Sequence, residues 1–98
     1  MSYSFTATLW RWKGDAPASW VFVTLPVDIA FAIRTESAEQ RRAWGSVKVA
    51  ARIGATTWTT SLFPQKDTGS YLLPVKATIR TAEKLGDNDE VGVVLDLR

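Results

Sequence analysis

Five polar side chains in the second half of the chain are best suited to chemistry: Ser61, Lys66, Tyr71, Lys76 and Arg80. Lys76 and Arg80 stand four residues apart, the spacing that puts two cations on one face of a helix. Ser61 and Tyr71 would add hydroxyls, and Lys66 a third cation from a neighbouring loop. With the orphan N–H groups of a helix start, such a set could hold a phosphate or a carboxylate. The plainer alternative is a solvated basic helix face beside a structural tyrosine. Arg80 and Glu83, three apart, would then partly neutralise the stripe. A Ser–Lys dyad from Ser61 with Lys66 or Lys76 would need a desolvated lysine as base. Nothing in the sequence points to such burial, so no catalytic residue is assigned and catalysis is disfavoured.

A second set joins Arg41, Arg42 and Trp44 to Lys48 and Arg52. Lys48 and Arg52 share one face of a strand. An aromatic ring beside them could stack a base while the cations hold phosphates. The alternative is that Trp44 packs at a barrel end and the arginines solubilise. The chain has five tryptophans. Trp10, Trp12, Trp20 and Trp58 are expected to fill the core or an interface, because an indole supplies a large apolar area. If the Leu9 face is core, however, Trp10 and Trp12 stand outside and mark a binding or dimer surface.

The missing residue types exclude whole classes of function. The 98 residues include no cysteine and no histidine. Zinc fingers, haem held by histidine, iron–sulfur clusters and Cys–His or Ser–His–Asp catalysis are therefore ruled out. Asp87, Asp89 and Glu90 lie on a turn without the ligand loop of an EF-hand, so no metal and no cofactor is expected. Twelve basic and ten acidic residues give a formal net charge of +2, weak support for a polyanion partner. The absence of cysteine fits a reducing cytoplasm. The start of the chain lacks the basic and apolar regions of a signal peptide. No apolar run approaches the roughly 18 residues of a membrane span.

The elements that must position these residues follow from periodicity and turn residues. Strands are predicted over 5–12, 19–24, 46–53, 56–63, 70–73 and 91–97, where apolar or β-branched residues alternate. Residues 13–17 and 64–69 read as loops, and Gly54-Ala55 as the turn of a hairpin. Pro26 and Asp28 suit the start of a helix that runs to Arg34. Residues 35–43 read as a polar loop or fraying helix end. Pro74 opens a second helix, 75–84, with Val75, Ile79 and Ala82 towards the core and Lys76, Arg80 and Lys84 outward. Gly86 is the expected C-cap. Six strands and two short helices in one domain over 1–98 give a mainly β fold, a small closed or split barrel.

The second half carries a resemblance. Ser61-Leu62-Phe63-Pro64, Gly69 to Lys76, Ile79-Arg80 and the turn Gly86 to Val91 resemble the bacterial domain-of-unknown-function family nineteen-oh-five. Phe5-Thr6-Ala7, Trp20, Leu25-Pro26 and Gly45 to Val49 agree with it. The resemblance implies a small split β-barrel, similar in architecture to swapped-hairpin transcription factors and antitoxins. Some members carry a second, helical domain linked to bacteriocin protection; none is expected here, where the last strand ends next to Arg98. The expected function is a non-catalytic binding module for a small anion or a protein partner, with a groove lined by tryptophan and the Lys76/Arg80 face, cytoplasmic, monomeric or homodimeric, without a membrane. The alternatives are a nucleic-acid-binding barrel and, disfavoured, an enzyme of Ser/Lys/Tyr chemistry.

Overall fold

The computed structural model describes residues 2–12, 20–38 and 45–98. The elements run β1 (Ser2–Trp12), β2 (Trp20–Thr24), α1 (Val27–Glu36), β3 (Val47–Ile53), β4 (Thr56–Gln65), β5 (Ser70–Pro74), α2 (Ala77–Ala82) and β6 (Glu90–Leu97). All neighbouring strands are antiparallel, and they close in the order β1-β2-β5-β4-β3-β6. The chain is thus mainly β, with six strands and two short helices. The expected loop 13–17 and the charged segment beyond Ala38, with Arg41, Arg42 and Trp44, lie outside the described residues.

Two long strands join the halves of the barrel. β1 pairs with β6 through Ser2–Thr8 and with β2 from Leu9 onward. β4 pairs with β3 through Thr56–Leu62 and with β5 from Phe63 onward. This change of partner explains why β4 outlasts its expected end at Phe63. Pro64 lacks an N–H, but it sits where β3 has already ended, so no ladder bond on that side is lost.

The interior is built by the period of two. Leu9, Val21, Val23, Val49, Ala51, Leu62, Tyr71, Leu73, Val93 and Leu95 are all buried. Leu25, Ala30 and Ile33 extend this core under α1; Val75 and Ile79 do so beside α2. The helices lie at opposite ends of β5. Arg34 of α1 stands over the Tyr71 ring, 5.6 Å from its centroid, whereas α2 follows Pro74. Asp28 occupies the first turn of α1, where its charge complements the dipole.

Helix α2 is shorter than the pattern suggested, and Ala82 is exposed. Its end is a Schellman motif placed two residues before Gly86. Lys84 takes the left-handed conformation at φ 55°, Lys84 N–H donates to Thr81 O and Leu85 N–H to Arg80 O. Leu85 then packs on the core, the apolar contact that such a cap usually carries. Gly86 instead donates its N–H to Asp89 Oδ2 at 2.7 Å.

Candidate functional site

The outer face of the β1-β2-β5-β4 half carries an aromatic shelf. Trp12 and Trp20 are paired across β1 and β2, as are Trp10 and Phe22. Leu72 of β5 pairs with Phe63 of β4. Trp12, Trp20, Phe22, Phe63 and Leu72 line a shallow hollow of about 390 Å³. The Trp20 and Phe22 rings are stacked, 6.2 Å between centroids and 8° from parallel. Trp10 leans on Phe22 at 5.3 Å, and its Nε1 donates to Thr24 Oγ1 at 2.9 Å. That bond fixes the indole against the sheet and anchors the row from behind.

Exposure separates these residues from the core. Leu9 is fully buried, so the opposite face of β1 lies outside, as that arrangement of Leu9 requires. Trp12 is 43% exposed, Trp20 49% and Phe63 47%. Trp12 thus stands outside, as a buried Leu9 face implies, and Trp20 is likewise outside the core. Both faces of β2 are apolar, and the narrow interior takes Val21 and Val23 and leaves the larger rings outside. Trp58 does follow the expectation in part, half-buried against the core. In the sequence the shelf is legible through the outward face of Trp10 and Trp12, whereas Phe63 and Leu72 carry no signal that would place them beside it.

A second hollow, about 230 Å³, shares Trp20 as a wall and is otherwise lined by Val21, Pro74, Val75, Lys76, Ala77 and Arg80. Lys76 and Arg80 therefore do converge, beside a tryptophan rather than beside the expected hydroxyls. Lys76 is exposed, and Arg80 is half-buried with its Nε donating to Val75 O at 3.2 Å. Glu83 does not pair with Arg80 as its spacing suggested. Its carboxylate accepts from Thr56 Oγ1 at 2.5 Å, across to the β3–β4 hairpin.

The other members of the expected set lie elsewhere. Tyr71 is a core residue, 1% exposed, next to Pro64 and beneath Arg34. Ser61 lies within β4 opposite Lys48, not at a strand end. Lys66 is exposed on the turn between β4 and β5. Lys66 and Lys76 both lack the burial that would make either a base for Ser61. The buried serines are Ser37 and Ser70, and the Ser70 Oγ donates to Leu25 O at 2.7 Å.

Of the second set, Lys48 and Arg52 stand exposed on the outer face of β3. Arg52 borders a hollow formed with Ser4, Thr6, Gly54 and Gly92. Among the described residues there is no group of three or more metal-ligating side chains, and no helix is long and apolar enough to cross a membrane.

The model of a protein family described as a domain of unknown function, DUF1905, matches residues 5–95 of the chain. No curated protein matches it.

Proposed function

The chain thus belongs to the DUF1905 family, and from that premise we propose that it is a non-catalytic binding module that works through its outer aromatic face. The observation that carries this reading is the gathering of Trp12, Trp20, Phe22, Phe63 and Leu72 outside a barrel whose interior is already filled. Contiguous apolar surface of this kind marks interaction sites, whereas scattered exposed side chains need no explanation. The hollow of about 390 Å³ falls in the range of about 300–1,000 Å³ that small ligands occupy. Near-parallel Trp20 and Phe22 favour a flat ligand that lies against them.

The neutral fluorophore N-phenyl-1-naphthylamine tests this. The native protein should enhance its emission, and Trp20→Ala and Phe63→Ala should each weaken binding about tenfold, from lost aromatic contact of roughly 1–2 kcal/mol. Both side chains are exposed, so far-UV circular dichroism should be unchanged. Absence of enhancement, or binding by both variants as tight as the native protein's, would overturn the reading. So would a dimer in sedimentation equilibrium that both substitutions dissociate, because a second copy would then own the shelf.

The nucleic-acid alternative draws on the common outward direction of Lys48 and Arg52 on β3. It requires binding of mixed-sequence DNA that falls steeply between about 50 and 200 mM salt and is weakened by Lys48→Ala with Arg52→Ala. Binding that is absent at the lower salt would sink it.

A further inference from the structure

We infer, resting on the aromatic-shelf reading, that the ligand is a small aromatic anion. Its ring lies on the shelf, and its acidic group enters the adjoining hollow between Lys76 and Arg80. The two hollows share Trp20. A ring stacked on that indole therefore carries its substituent straight from an apolar wall to a cationic one. Among the described residues, the shelf hollow is lined by aromatic rings and a leucine, while the second contributes two positive charges and no carboxylate.

Among the described residues, no carboxylate forms an ion pair with either cation. The ion pair formed by the described residues is Arg11 with Asp87, at 2.8 Å. Asp87 acts on Arg80 only through space, because its two oxygens accept from Arg11 at 2.8 and 2.9 Å. Glu83, on the turn that closes the same helix, is held by Thr56. Arg80 is also oriented in advance. Its Nε is committed to Val75 O, and its terminal Nη groups make no further bond among the described residues, so they can meet an incoming anion. A guanidinium fixed in this way loses less side-chain freedom on binding than a swinging lysine. Carboxylate, sulfonate and phosphate all present the oxygens that such donors engage with charge-assisted bonds.

Two fluorophores with the same ring system separate the anion from the ring. 1-Anilinonaphthalene-8-sulfonate carries a sulfonate that N-phenyl-1-naphthylamine lacks. The sulfonate should bind the native protein at least threefold more tightly than the neutral probe at low salt, and the preference should shrink as salt screens the pair. Arg80→Gln should weaken sulfonate binding about tenfold and Lys76→Gln about threefold, with the neutral probe unaffected. Lys76 is exposed, so that variant will fold even if Arg80→Gln does not. Competition by 1-naphthoate and by 1-naphthyl phosphate then tells a carboxylate ligand from a phosphate one. Equal affinity for both probes, unmoved by salt and by both substitutions, would overturn the anion inference and leave the shelf standing. No binding of either probe would instead remove the shelf reading on which it rests.

Discussion

Arg11 holds the Asp87 carboxylate with two parallel hydrogen bonds, and this lowers the Asp87 pKa, chiefly through the hydrogen bond from the guanidinium. A carboxylate whose folded pKa is depressed stabilises the fold above its ordinary pKa. That contribution is lost as pH falls through the depressed value. Asp87→Asn should therefore be less stable than the native chain at pH 7, and the difference should shrink as pH falls from neutrality to below the ordinary aspartate range. Urea denaturation across that range measures it, and a difference that persists at low pH would refute the linkage. Ser70 makes a contrasting contribution, buried and bonded to Leu25 O. Ser70→Ala should cost about 1–2 kcal/mol in the same measurement, because it leaves a buried carbonyl short of a donor. Ser61 and Ser70 look equivalent in the sequence. Only the strand partners decide that Ser61 on β4 meets Lys48 of β3 and that Ser70 opens β5 opposite Gln65. For the same reason the spacing shows Lys76 and Arg80 as a pair beside a tryptophan, but not that the tryptophan is Trp20, which arrives from β2 through the sheet.

At the level of the elements, the strand pattern was legible because inward residues of β3 and β6 alternate cleanly with smaller or charged ones. The ends of elements were not. Gly86 offered itself as the helix cap, but the Schellman geometry falls on Lys84. A cap is set by where the last apolar contact, here Leu85, can reach the core. Lys84→Gly should remove the cost of a side chain at positive φ and raise stability by about 0.5–1 kcal/mol. An unchanged or lowered melting temperature would contradict that account. The β3–β4 turn gives the opposite case. Gly54 has a φ of +58°, and a Cβ there would run into the Glu83 carboxylate. Glu83 can swing away, but it then loses Thr56. Gly54→Ala should accordingly cost about 1–2 kcal/mol for the backbone strain, and more than that for the broken link between hairpin and helix. If Gly54→Ala is as stable as the native chain, the turn is not held in this conformation.

For the molecule as a whole, closure depends on the ends of the chain. β1 pairs with β6 from Ser2↔Asp96 to Thr8↔Glu90, and β6 pairs in turn with β3. Residues far apart in sequence must therefore meet before the barrel closes. Such non-local topologies fold in roughly milliseconds to seconds. Deleting the final strand should leave β1 and β3 without their shared partner and abolish the cooperative thermal transition seen by circular dichroism. A deletion variant that melts cooperatively would show that the barrel is not the folding unit. The barrel class was readable from strand count and turn spacing. Which outer face would gather the aromatics was not, because that depends on where β1 and β4 change partners.

That change of partners has a consequence for recognition. A sheet with an open side can be read by any peptide willing to extend it, whatever that peptide's side chains. Here the six described strands form a ring, so none of them is a sheet edge along its whole length. A visitor is therefore met mainly by side chains. The vocabulary of this small protein is therefore written on its walls, where one exchanged residue can alter the message without loosening a single rung.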